Sequence, residues 1–313
     1  MKVVRAPEKN GNEPSSRLED PDRRALLKTL PLGLLAVLLD GGGAARRLLH
    51  PVRVDVPASF AHLDPSSDEG SLGVGGSLDL HKIENFDRTF PDDFHLEHER
   101  LDLLASTAAR LERAIRYVGH GHFNLVSFDE LLRYAARFRA IGAFRPKEID
   151  FMDEIFHADA GRYGFYGRKV IGRLTAVFKD RDVEKVAATG HYLLRGEPLN
   201  KYRRIRRDLG KDVYLTSGVR GVAKQFQLFL SKAVSTGGNL SQAARSLAPP
   251  GYSYHAIGDF DVGRMGFGKK NFTEDFADTP EYQRLIDLGY VEHRYTETNP
   301  YGVRHEPWHI KIA

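Results

Sequence analysis

The sequence predicts an α+β protein in which a mostly helical region precedes a small antiparallel sheet. Two observations predict it. From Leu96 onward, apolar residues recur at helical steps. Beyond Asp212, short strand-like runs mix with helices and lack the strand–helix–strand rhythm of a parallel sheet. The 313 residues suffice for a sizeable core, in one large domain or two small ones.

The chain begins with a segment that reads as an address. Residues 1–22 are polar and aperiodic. Asp22-Arg23-Arg24-Ala25-Leu26-Leu27-Lys28 then leads into an apolar run from Thr29 to Leu39, followed by Gly41-Gly42-Gly43-Ala44-Ala45. A basic pair, a short apolar run and small residues stand in the order of a secretory signal, and the paired arginines resemble a twin-arginine export signal. The run is too short to span a hydrocarbon core of ~30 Å as a helix. A buried N-terminal helix is the competing reading, which the flanks and the length disfavour. Residues 1–45 are therefore expected to direct export to the periplasm or cell envelope. Contact with a membrane is expected only during export, or through the signal if it stays uncleaved. Residues 46–95 read as a spacer, because Ser66 to Ser77 is rich in Ser and Gly with little to bury.

Residues 96–200 are expected to be helical. Leu101, Leu104, Ala108, Leu111 and Ile115 share one helix face. Ser127-Phe128-Asp129-Glu130 is a capping box that opens a helix. Lys147 to His157 and Lys169 to Phe178 are further helix candidates. In residues 201–313, Asp212 to Thr216 reads as a strand, Gly221 to Val234 as an amphipathic helix, and Asn239 as the cap of a short helix reaching Leu247. Asp259 to Val262, Tyr290 to Tyr295 and Trp308 to Ile312 read as strands. Thr279-Pro280 marks a helix start, with Thr as cap and Pro at the first helical position.

Composition excludes several chemistries. With no cysteine, the chain has no disulfide scaffold, thiolate metal site, iron–sulfur cluster or thiol nucleophile. A net charge of +4 is too mild to argue for a nucleic-acid partner, and none is expected. The basic run Lys201 to Arg207 reads as a solvated helix face. His120-Gly121-His122 and the pair His95 and His98 have ligand-like spacing but no carboxylate placed with them, so they read as surface or structural.

Three stretches carry chemistry: Ser217-Gly218-Val219-Arg220 with Gln225 following; Ser253-Tyr254-His255-Ala256-Ile257-Gly258-Asp259-Phe260-Asp261; and Arg304-His305-Glu306-Pro307-Trp308-His309. Two imidazoles and one carboxylate suffice to hold a catalytic zinc and leave a position for water. A further carboxylate can take the proton of that water. Glu306 and His309 would face opposite sides of an uninterrupted strand, but Pro307 fits an edge or a bend, so both can reach one cleft.

These stretches resemble the zinc D-alanyl-D-alanine carboxypeptidases of the VanY type, in the wider group of LAS and hedgehog-like domains. That family carries Ser-x-His-x-x-Gly-x-Ala-x-Asp, a later Glu-x-x-His, and an upstream Ser-Gly-Tyr-Arg-Ser with a Gln after it. Ser253, His255 and Gly258 match the first, Glu306 and His309 the second, and Ser217, Gly218, Arg220 and Gln225 the third. Asn271-Phe272-Thr273 and the helix start at Thr279-Pro280-Glu281-Tyr282 are also similar to it. The matches follow family order over about the last third of the chain.

One departure stands out. The family's Asp lies seven residues after His, where this chain has Val262. Asp261 is assigned as the ligand, and Asp259 is its rival or a partner behind a ligand His.

The resemblance implies a small sheet with a zinc cleft, Zn²⁺ held by His255, Asp261 and His309, and Glu306 as general base. It implies Arg220 as the group that stabilises the oxyanion or holds the substrate carboxylate, with Ser253, Gln225 and Ser217 binding substrate. The implied partner is the peptidoglycan stem peptide, and the implied reaction is hydrolysis of a peptide bond involving a D-amino acid, in the manner of a D,D-carboxypeptidase. The alternatives are a peptidoglycan endopeptidase and a zinc-stabilised wall-binding module without catalysis.

Overall fold

The computed structural model describes residues 79–312, which fall within one compact unit, residues 50–313. The expected export signal and the first part of the expected spacer lie outside the described residues. In chain order the elements are α1 (Leu80–Glu84), α2 (Leu101–Val118), α3 (His120–Phe123), α4 (Phe128–Arg137) and α5 (Pro146–His157). Then follow β1 (Val183–Lys185), β2 (Tyr192–Leu194), α6 (Glu197–Leu209), β3 (Val213–Ser217) and α7 (Val222–Ser235). The last are α8 (Leu240–Ala244), β4 (Phe260–Arg264), α9 (Pro280–Asp287) and β5 (His309–Ile310). Among the described residues, no helix is long and apolar enough to cross a membrane.

Helix α2 forms where its periodicity predicts it, and Leu104, Ala108, Leu111 and Ile115 are buried along one face. That face packs with Phe226, Phe229 and Leu230 of α7 in one apolar core. The core runs from Leu96 to Val303, so helices on both sides of residue 200 share it. Leu111 is fully buried, and Leu111→Ala is expected to lower the unfolding free energy by about 2–5 kcal/mol in urea denaturation, since the cavity closes only in part. Ser127 caps α4, with the reciprocal Glu130 contact in place.

The sheet is antiparallel with strand order β3-β4-β5, and a two-stranded hairpin joins β1 to β2. Side chains alternate across β4. Phe260 and Val262 enter a second core with Tyr202 and Ile205 of α6 and Leu285 of α9, while Asp261 faces the other way. Trp308 and Ile310 join that core and leave His309 on the face of Asp261.

Four local expectations differ from the structure. The region 96–200, expected to be helical, has no α-helix between His157 and Glu197 and holds the β1–β2 hairpin there, where Gly190 and Gly196 both adopt positive φ. Lys169 to Phe178 is irregular rather than helical. Gly172 and the β-branched Val170, Ile171, Thr175 and Val177 are poor helix formers, and the Val170 and Ile171 amides both donate to the Gly251 carbonyl. Tyr290 to Tyr295 is not a strand, because it makes isolated backbone bonds to Glu306 and Lys311 instead of a ladder. Residues 79–95, read as the end of a spacer, are packed. The Leu96 amide donates to Gly238, His95 bridges Asn239, and Asp93 is buried against Arg245.

Candidate metal centre and active site

The sheet register assembles the site. In β4, Asp261 stands opposite Ser217 of β3 on one side and His309 of β5 on the other. Residues far apart in sequence thus become cross-strand neighbours on the face turned away from the core. His255 comes from the turn before β4, and its Nδ1 lies 2.9 Å from the Gly218 carbonyl. Gly218 is required there: a Cβ would stand 2.0 Å from the Tyr192 carbonyl oxygen. The Glu306 carbonyl accepts from the His309 amide at 3.1 Å, closing a turn with Pro307 as its second residue. The turn replaces the uninterrupted strand that would have separated Glu306 from His309.

Ligand atoms of His255, Asp261 and His309 all lie within 4.8 Å of one another, and all three residues are buried. No other such trio occurs among the described residues; His95, His98, His120 and His122 are exposed. Nε2 of His255 lies 3.3 Å from Asp261 Oδ1, and Nδ1 of His309 lies 3.1 Å from the same oxygen. Each ring's other nitrogen has its own acceptor: Gly218 O for His255 and Asp259 Oδ2, at 3.0 Å, for His309. Those acceptors hold a proton on each outer nitrogen and leave each ring's nitrogen beside Asp261 as the metal donor once His309 gives up its second proton. Asp259 is thereby placed behind His309, where Arg294 also holds it at 2.7 Å. Arg294 in turn lies 3.7 Å from the Tyr254 ring centroid.

The electrostatics suit a dication. Burial pushes the Asp261 carboxyl up, but His255, Arg220 and His309 overcome it and hold it well below the usual range. Burial and nearby Arg220 push His255 down to about 4, so it is a neutral donor. Burial opposes charge on His309, yet hydrogen bonds to Asp259 and Asp261 raise it to about 9. Two carboxylates facing one imidazole call for a positive charge, which a proton on His309 supplies when no metal does. The donor set, one ionised carboxylate and two oriented imidazoles without sulfur, fits Zn²⁺.

Metal binding must displace the His309 proton. Apparent affinity is therefore expected to rise with pH up to about 9, releasing one proton per metal, measurable by competition with a chelator at several pH values. Asp259→Asn is expected to weaken metal binding by about 10–100-fold in the same assay, because His309 loses its anionic acceptor.

The other site residues divide. Glu306 lies 3.9 Å from His309 Nδ1, and burial pushes its carboxyl up to about 7. Arg220 donates from Nη2 to Asp261 Oδ2 at 2.6 Å and from Nε to Ser217 Oγ at 2.9 Å. Arg220, Ser217, Ser253, Glu306 and the trio all line one cleft of about 410 Å³. Gln225 does not line it. Its Nε2 donates to the carbonyl of Ala248, a wall residue, so Gln225 braces the wall from behind. Sequence reasoning missed Arg294, Tyr295, whose ring centroid is 4.9 Å from that of His309, and His191, which reaches the cleft from the β1–β2 hairpin. None stands in a spaced motif, so only the tertiary fold exposes them.

Residues 197–312 match the model of the VanY family, D-alanyl-D-alanine carboxypeptidase. That match spans 116 of the 313 residues and makes this segment similar to the VanY family. The VanY match begins at α6 and takes in β3, β4, β5 and every residue of the trio. Three solved structures are similar. A vancomycin-resistance D,D-pentapeptidase VanY in complex with Zn(II) is 22% identical, with 41% of this chain and 75% of that chain covered and a TM-score of 0.33. The LD-carboxypeptidase LdcB is 20% identical, with 43% and 69% covered and a TM-score of 0.34. VanYB in complex with D-alanine-D-alanine is 23% identical, with 41% and 74% covered and a TM-score of 0.32. No curated protein matches the chain.

Proposed function

We propose that this chain is an exported zinc-dependent peptidase that releases the terminal D-alanine from the peptidoglycan stem peptide. The carrying observation is the buried trio His255, Asp261 and His309, with Glu306 beside it in a cleft of the VanY segment. Bound zinc would polarise the scissile carbonyl and lower the pKa of a water to about 7.

The chain's own residues do the rest. Glu306, its pKa raised by burial to about 7, takes a proton from the attacking water as the carboxylate and returns it to the leaving amine. Asp259 and the Gly218 carbonyl hold the two imidazoles in the tautomers that present their lone pairs. Arg220 is fixed through Nε and Nη2. Its Nη1 remains to hold the terminal carboxylate or the developing oxyanion. Ser253 lines the same cleft and orients the peptide. Arg220, with Lys224 near it on the cleft wall, favours a substrate that ends in a free carboxylate, hence a carboxypeptidase rather than an endopeptidase.

The test offers the metal-loaded protein both a D-Ala-D-Ala-ended pentapeptide and purified peptidoglycan, with products read by mass. Free D-alanine supports the reading. Cross-linked peptides cut internally would assign an endopeptidase, and metal binding without product would assign a binding module. Export through residues 1–45 is part of the proposal, and a mature N-terminus near Arg46 in cell-made protein, by mass spectrometry, tests it.

A further inference from the structure

Apart from the groups of the metal centre, the charged residues that line the cleft are cations. Its only carboxylates among the described lining residues are Asp261 and Glu306, both at the metal end. Along α7, Lys224, Leu228 and Lys232 all line the cleft, at i, i+4 and i+8 on one helix face. Lys224 lies near Arg220, and Lys232 lies near Arg304. Arg304 is held between two rings, 4.7 Å from the Phe86 centroid and 4.8 Å from that of Trp308. Its Nη2 donates to the Phe272 carbonyl at 2.9 Å, while its buried Nε has no hydrogen-bond partner. Neither Lys232 nor Arg304 forms a direct ion pair among the described residues, although Asp87 lies near Lys232 and Glu306 near Arg304. Burial and Arg304 push Lys232 down and outweigh nearby Asp87, so an anion placed between Lys232 and Arg304 would relieve both charges.

Distance decides which anion. Lys224 and Lys232 are eight residues apart, which is ~12 Å along a helix. An extended peptide covers that length in about three to four residues. A terminal carboxylate lies within one residue of the scissile bond, beside Arg220. A group at Lys232 therefore belongs to a residue further back along the peptide.

We propose that Lys232 and Arg304 form a subsite for a side-chain carboxylate of the peptide substrate, two or more residues before the scissile bond. This rests on the peptidase reading above. The subsite selects stem peptides whose third residue carries an extra carboxylate. Phe86, from upstream of the VanY match, completes its wall, so the segment before the match takes part in selection.

The experiment compares two pentapeptides ending in D-Ala-D-Ala and differing only at the third residue. One carries 2,6-diaminopimelate and the other lysine, which lacks the second carboxylate. The wild type is expected to favour the first by about tenfold in kcat/KM, mainly through KM, as one charge-assisted contact gives. Lys232→Gln is expected to bring the ratio near one, and Lys232→Arg to restore it. Metal content, measured on each variant, reports that the centre is intact. Equal kcat/KM for the two peptides in the wild type overturns the subsite while the peptidase reading stands. A Lys232→Gln loss that is equal on both peptides assigns the terminal carboxylate to Lys232 and also overturns it. Hydrolysis of neither peptide by metal-loaded protein overturns the peptidase reading and the subsite with it.

Discussion

Glu306→Gln is expected to lower release of D-alanine from the pentapeptide by about 10²–10⁴-fold while the protein still holds its metal. The geometry separates the two functions. Glu306 is outside the trio whose ligand atoms cluster within 4.8 Å, and its closest approach to His309 Nδ1 is 3.9 Å. Glutamine keeps the volume and the turn at Pro307 but cannot accept a proton. Metal content by emission spectroscopy and product by mass should therefore part company in this variant. His309→Ala, which removes a donor, should lose both together. If Glu306→Gln lost its metal, Glu306 would be a ligand rather than the base.

The second large effect is on stability. Asp93→Ala is expected to lower the unfolding free energy by about 3–5 kcal/mol, because it leaves Arg245 buried and unpaired. Arg245 donates to both Asp93 oxygens, at 2.7 and 3.0 Å, and Asn239 and the Phe90 amide donate to the same carboxylate at 2.7 and 3.0 Å. Only 4% of the Arg245 side chain is exposed, so water cannot replace the lost anion.

The pH dependence has a definite sign. Burial pushes the Asp93 carboxyl up, but Arg245 and Asn239 outweigh it and hold it at about 2 against an ordinary 3.8. A folded-state pKa that is depressed stabilises the protein above the ordinary value, and the contribution fades as pH falls through the folded one. The difference between wild type and Asp93→Ala in urea midpoints should thus be full at pH 6 and shrink between about pH 4 and 2. A difference that stays constant across that range would remove the carboxylate from the explanation.

Much of the site could be read from the chain because its chemistry is local. Glu306 and His309 sit three apart across a Pro turn, and Ser217, Gly218 and Arg220 are consecutive or nearly so. What the sequence could not supply was register. Asp259 and Asp261 have the same parity on a strand, so periodicity cannot rank them. The pairing of Asp261 with His309 across β4 and β5, and of Asp259 with Arg294, does so. Arg294 stands 35 positions from Asp259 in a run read as a strand. Its role exists only in three dimensions. Gln225 shows the opposite error. It stands in the right motif, yet α7 turns it toward Ala248, behind the cleft wall. The helical core was legible because α2 and α7 each carry a clean apolar face. The packing of residues 79–95 was not, because it rests on Asp93 and a few backbone bonds rather than on any apolar period.

Hydrolysis by this protein is proposed to need a metal held by His255, Asp261 and His309. The most direct measurement strips the protein with a chelator and then adds zinc back in fractions of an equivalent, following D-alanine release from the pentapeptide at each step. No release is expected from the stripped protein, and a rise that levels off at one zinc per chain. Release that persists after all metal has been removed would contradict it.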